Sequence, residues 1–214
     1  MATAKRKTAA EKWALPVQQE RSRATRERLL AAAEKVFAEK GYDGAKLSDI
    51  AEEAGVSVGA VYFRFKDKDA LFQAIAETFT EEARTRIGGY IAEARQSPVE
   101  EVLRDFVTRT AESFGAHRGL FRAIIERGLD HPGVMTVMFA FRDEIARALE
   151  DVLRARAGDA QELGDTVRTA TQMIYGFLLL GILNPRAPTR QNAKAAVTGL
   201  ADAVVAYLNT MMRP

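Results

Sequence analysis

Between Leu47 and Phe65 two short stretches with helical patterning flank the run Ala54-Gly55-Val56-Ser57, and this narrows the folds open to the chain more than any other feature. Leu47, Ile50, Ala51 and Ala54 recur at helical spacing, so the first stretch is a short helix that Gly55 ends. Ser57 has the chemistry of an N-cap for a second helix through Arg64, its hydroxyl accepting from the backbone N–H of residue 59 or 60. Ile50, Val56 and Val61 supply a small core between the two helices. Ala51 is small where the second helix crosses, and Gly55 can adopt the backbone of a tight turn. Two short helices joined in this way make a helix-turn-helix, whose second helix can lie in a DNA major groove.

The remaining chain reads as all-α. Leu29, Leu30, Ala33, Val36 and Phe37 form one stripe and predict a helix over 23–40 that stops at Gly41. A long helix is expected from Lys68 to about residue 95, with Gly88-Gly89 as a weak point. Further helices are expected at about 99–115, 119–129, 133–157, 162–183 and 189–212, punctuated by Gly and Pro. No stretch alternates long enough to argue for a strand. The expected organisation is a flexible basic arm over 1–22, a helix-turn-helix domain over 23–68 and a helical domain over 69–214.

Charge and composition limit the chemistry. Residues 1–68 hold 14 Lys and Arg against 10 Asp and Glu, whereas residues 69–214 hold 17 against 19, so the positive excess sits with the motif, as phosphate binding requires. The chain has no cysteine, which removes disulfides and thiolate chemistry. It shows no phosphate loop or nucleophile elbow. The pairs Glu52-Glu53 and Glu81-Glu82 diverge by about 100° around a helix and do not converge on a substrate. His117 and His131 define no metal site without further ligands. No catalytic residue, metal or cofactor is therefore expected. The longest apolar run, near Ile174–Leu183, falls short of the roughly 18 residues of a membrane span, and the start lacks a secretory pattern; a cytoplasmic protein is expected.

On the outward face of the second short helix Ser57, Val58, Gly59 and Ala60 are small, which allows close approach within a groove of about 12 Å. Tyr62 and Arg64 follow as phosphate contacts, with Phe63 beside them, while Phe65 reads as core. Lys66 and Lys68 add charge at the N-terminus of the long helix, where amides and dipole favour an anion. Helix 1, the run Ile50-Ala-Glu-Glu-Ala-Gly-Val-Ser-Val-Gly59, Tyr62 and Phe65-Lys-Asp-Lys68 together resemble the TetR family of repressors over about residues 25–79.

The resemblance implies a three-helix DNA-binding domain followed by a six-helix ligand-binding and dimerisation domain. It also implies a homodimer whose last two helices pair into a four-helix bundle, and repression relieved by a small ligand. By the same resemblance Val58, Gly59 and Ala60 face bases, and Tyr62, Phe63, Arg64 and Lys68 lie at or near the double-stranded DNA backbone. One position departs from the pattern: Lys46 stands where a hydroxyl residue commonly caps the first short helix, which leaves that cap open although Lys46 can still meet phosphate.

In the second domain Phe106, Phe114, Phe121, Ile125, Met135, Phe139 and Tyr175 are the candidates for a hydrophobic effector pocket, although such residues also build ordinary cores. The two last helices are apolar around much of their circumference and need cover on more than one side, which favours a dimer interface. Two other readings stay open: a DNA-binding regulator without a ligand, and a helical adaptor protein.

Overall fold

The computed structural model describes residues 9–94, 96–130, 132–157 and 163–211, with side chains left undescribed at 9–19, 91–92, 129–130, 132–137 and 155–157. Among the described residues there are ten helices and no strand: α1 (Ala9–Gly44), α2 (Leu47–Glu53), α3 (Val58–Tyr62), α4 (Lys68–Ala94), α5 (Val99–Ala116), α6 (Arg118–Asp130), α7 (Pro132–Ala157), α8 (Leu163–Leu183), α9 (Pro188–Gln191) and α10 (Ala193–Met211). The all-α class and the element order follow the apolar periodicity.

Three differences from the expected elements stand out, the first two with local causes. α1 starts at Ala9, inside the stretch expected to be an arm; Ala, Glu, Gln and Arg there are good helix formers that carry no apolar stripe for periodicity to detect. The expected helix over 189–212 is divided, because Asn192 leaves helical geometry and its side chain accepts from the Ala195 N–H at 3.2 Å, capping α10. α4 runs unbroken through Gly88-Gly89.

Helices α1 to α3 share a core of Leu29, Ala33, Phe37, Ile50, Ala51 and Val61. α1 is interrupted at Gly41, whose φ of 73° lies in the left-handed region and whose missing Cβ leaves room for the Glu126 carboxylate. α4 connects this layer to the rest. Near its start Leu71, Phe72 and Ile75 are buried, Phe72 meeting Phe37 and Tyr42 edge-on. Further along, Phe79 packs edge-on against Phe121 and Phe141 of the larger bundle.

The α1–α6 contact is the closest between the two layers. α6 runs parallel to the second half of α1: His117, just before it, faces Glu34, Arg122 donates to the Ala38 carbonyl at 2.8 Å, and Glu126 accepts from the Tyr42 N–H at 2.6 Å. α5 and α10 run antiparallel, Arg104 pairing with Asp202 and Glu100 with Asn209. α8 fills the centre with Val167, Ala170, Ile174 and Leu178. Half buried in the bundle, α8 is long and apolar enough to cross a membrane. The uninterrupted apolar run had fallen short of that length; the full helix reaches it because its interspersed Thr and Gly lower the average little.

Candidate nucleic-acid interface and effector cavity

The turn between α2 and α3 is built as its residue types dictate. Gly55 has φ of 64°, and Ser57 Oγ accepts from the Ala60 N–H at 3.2 Å. Val61 and Phe65 are buried beneath α3, Phe65 as core. The cap left open by Lys46 is supplied from the other side: the Asp49 carboxylate accepts from the Lys46 backbone N–H at 3.1 Å and pairs with Lys40 at 3.0 Å. These two partners, Lys40 first, hold the Asp49 carboxyl below the usual aspartate range. Lys35 and Glu53, 2.7 Å apart, tie the other end of α2 to α1.

Held from beneath, α3 turns its remaining face outward. Val58 and Tyr62 are exposed, and Phe63 is 83% exposed. Gly59 has an ordinary helical backbone, and a Cβ built on it would meet nothing nearer than Ser57 Oγ at 3.8 Å. The fold itself therefore has no need of glycine there. Ala60 is half-buried, and Lys46 and Lys66 are exposed at the two sides of the motif. Arg64 folds back: its Nη1 donates to the Ala60 carbonyl at 3.1 Å, and its guanidinium lies 5.7 Å from the Phe63 ring centroid.

The expected phosphate seat at the start of α4 is differently used. Lys68 Nζ donates to the carbonyls of Tyr42 at 2.7 Å and Ala45 at 3.0 Å, so the ammonium clamps α4 to the turn after α1. The Asp67 carboxylate already accepts from the Ala70 N–H at 2.8 Å. The amide end of α4 thus carries an internal anion. Tyr42 completes the joint, its ring lying between Lys68 Nζ at 4.4 Å and the Arg127 guanidinium at 5.0 Å while its hydroxyl donates to Asp69. Burial first, and then Asp69, pushes the Tyr42 phenol well above the usual tyrosine range.

In the larger bundle a cavity of about 460 Å³ opens between α4, α5, α6, α7 and α8. Of the sequence candidates Phe106, Phe114, Phe121 and Tyr175 line it. Ile125 and Phe139 do not: the buried stripe of α6 runs through Leu120, Phe121 and Ile124, and that of α7 through Met138, Phe141 and Ile145, leaving each one position off the inward face. The side chain of Met135 lies outside the described residues. Sequence reasoning missed the α4 wall, where Phe79, Ala83, Ile87 and Tyr90 line the cavity. Their 3- and 4-residue spacing was the available signal. His117 also lines the cavity, and its Nδ1 lies 3.1 Å from Glu34 of α1.

A helix-turn-helix on a helical bundle defines a class of DNA-binding transcriptional regulators, and comparison with known proteins gives the family. Residues 29–75 match the model of the bacterial regulatory proteins of the tetR family, and residues 98–208 match that of the tetracyclin repressor-like C-terminal domain. The chain belongs to the TetR family of bacterial transcriptional regulators. It is 28% identical over 169 residues to the HTH-type transcriptional regulator UidR of Escherichia coli K12, covering 72% of this chain and 80% of that protein. The fold is similar to that of a transcriptional regulator from Aquifex aeolicus VF5, with a TM-score of 0.62 and 23% identity over 85% of this chain and 98% of that one. It is also similar to Bacillus subtilis FadR in complex with stearoyl-CoA, with a TM-score of 0.62 and 21% identity over 85% and 96% of the two chains.

Proposed function

We propose that this regulator binds a palindrome-like operator as a homodimer, represses from it, and releases it when a small, largely apolar molecule enters the cavity. The observation that carries the DNA contact is the outward face of α3. Val58, Gly59 and Ala60 present small groups for close approach to bases, and the exposed Tyr62, Phe63 and Lys66, with Lys46 and Arg64, meet the backbone. Ser57 serves as the cap, and Lys68 as the clamp that holds α4 while adding to the positive field. Residues 23–68 act as the DNA-binding unit and residues 69–214 as the ligand-binding and dimerisation unit.

Dimerisation runs through α8 and α10, where Met173, Leu180, Leu183 and Met211 are exposed apolar side chains. Twofold symmetry then presents two α3 helices to successive major grooves about 34 to 36 Å apart. The ligand acts through α6, because His117 both lines the cavity and faces Glu34 of α1. It weakens DNA binding only to the extent that it prefers the dimer shape with the wrong spacing. The stearoyl-CoA bound to FadR supports a small-molecule ligand for this fold.

The test is selection of bound genomic fragments with the purified protein, followed by salt titration on the best site with the native chain, Gly59→Val and Lys66→Ala. Gly59→Val is expected to melt like the native chain yet lose specific binding, and Lys66→Ala to reduce the salt slope by about 0.9. Full operator affinity in Gly59→Val would refute the assignment of α3 as the recognition helix.

A further inference from the structure

The cavity has a chemistry that restricts what can occupy it. Its charged wall groups, apart from the exposed Glu112, already face counter-charges within the chain. Arg109 lies 2.6 Å from Asp105, Arg86 lies 3.6 Å from Glu82, and His117 lies 3.1 Å from Glu34. Glu93, 4.0 Å from Arg109, and Glu112 are exposed at the rim. The interior between these groups is ringed by phenylalanines that pack on one another. Phe114 and Phe121 stack at 3.9 Å, and Phe79 meets Phe121 and Phe141 edge-on. An ion carried past the exposed Glu112 into the interior would lose its hydration without gaining an unpaired counter-charge there.

Of the interior hydroxyls, those of Tyr175 and Ser113 have no hydrogen-bond partner among the described residues, and the others are committed. Tyr90 donates to the Val102 carbonyl, and Thr110 to the Phe106 carbonyl at 2.7 Å. Tyr175 lines the cavity with its ring held edge-on to Phe114 at 5.3 Å, and no described residue hydrogen-bonds to its hydroxyl. Arg142, whose charge acts on this phenol, is engaged by Asp143 and Gln172. Burial pushes the Tyr175 phenol well above the usual range, so it remains a donor at physiological pH.

Resting on the cavity reading above, we propose that the ligand is an uncharged, mainly apolar molecule with one hydrogen-bond acceptor, a carbonyl or ether oxygen, seated on the Tyr175 hydroxyl. Because a desolvated donor left unpaired is costly, an analogue of the same shape that lacks the acceptor is disfavoured. Tyr175 is thereby the residue that sets ligand class, while the phenylalanines set size.

Equilibrium dialysis of the full chain against benzophenone, diphenylmethane, benzhydrylamine and diphenylacetate tests this, with Tyr175→Phe measured in parallel. Benzophenone is expected to bind roughly tenfold or more tightly than diphenylmethane, and Tyr175→Phe to bring that ratio close to one, with diphenylmethane binding more tightly than it does to the native chain because no donor is left unpaired. Equal binding of ketone and hydrocarbon to the native chain would overturn the proposal and leave the cavity reading standing. So would a ratio that survives Tyr175→Phe, or tighter binding of either ion. No binding of any of the four to folded, DNA-competent protein would overturn the cavity reading and the proposal with it.

Discussion

Adding a single methyl group at Gly119 tests the contact through which the two layers of the molecule touch. A Cβ built there would lie 1.7 Å from the Glu34 carbonyl oxygen, 2.6 Å from its carbon and 3.1 Å from the Ala38 nitrogen. All three are backbone atoms of α1, so no rotamer change relieves the clash; the two helices must part by more than an ångström to restore ordinary contact. Overpacking of this kind costs about 1 to 3 kcal/mol, and a clash with helical backbone belongs at the upper end. Alanine's better helix propensity returns about 0.8 to 1.0 kcal/mol. The net loss of about 2 kcal/mol corresponds to a fall in Tm of roughly 4 to 8 °C for a chain of this size. Gly88→Ala is the matched control, since nothing lies within 4 Å of a Cβ there. It should gain close to the full propensity difference, or roughly 2 to 4 °C. Thermal unfolding followed by far-UV circular dichroism, at one protomer concentration for all variants, reads both. If Gly119→Ala melts at or above the native temperature while Gly88→Ala behaves as stated, α6 does not rest on α1 as described and the route from cavity to DNA through Glu34 fails.

Leu180→Glu places a charge on a side chain that is 68% exposed, so helical content should hold while sedimentation velocity shows monomers and operator binding falls; a stable dimer would place the interface elsewhere. Asp49, with its carboxyl lowered in the folded chain, contributes stability that is complete above the unfolded aspartate pKa and is lost as pH falls through the lower folded value. Asp49→Asn should accordingly flatten that part of the acid limb in urea titrations from neutral to acidic pH, and an unchanged limb would refute the Lys40 and Lys46 contacts. Tyr42→Phe keeps a ring between Lys68 and Arg127 but removes the donor to Asp69, and should cost about 1 kcal/mol in urea unfolding. A loss several times larger would mean that the hydroxyl organises the whole joint.

The sequence made most of the fold legible because each helix from α4 to α8 buries a stripe at 3- and 4-residue spacing, and glycine, proline or a capping residue closes most of them. It did not reveal the start of α1 at Ala9, where helix-forming residues have no stripe, nor the break at Asn192. The outward face of α3 was legible for the opposite reason, since small residues sit where a covered helix would carry large ones. Lys68 was not. Its partners, the carbonyls of Tyr42 and Ala45, lie more than twenty residues away in sequence, and nothing local distinguishes a lysine that clamps a turn from one that waits for phosphate.

The cavity and the outer face of α8 follow from one rule: composition names the residues, but the phase of the helix assigns their direction. On α7, Met138, Phe141, Ile145, Leu149 and Val152 form the buried stripe, whereas Phe139 is 45% exposed with Arg142 over its ring. One residue is about 100° of helix, enough to move an aromatic from cavity wall to solvent. α8 carries two such stripes. Val167, Ile174, Leu178 and Ile182 face the core, while Met173, Leu180 and Leu183, with Gly176 open between them, face outward. The second stripe gives α8 the hydropathy of a membrane span, yet the first is already packed against protein. A helix half covered by its own domain and apolar on the other half is shaped to be completed by a flat apolar partner of similar length. A second copy of α8 and α10 offers that surface by symmetry, and the same symmetry is what an operator read by two α3 helices requires.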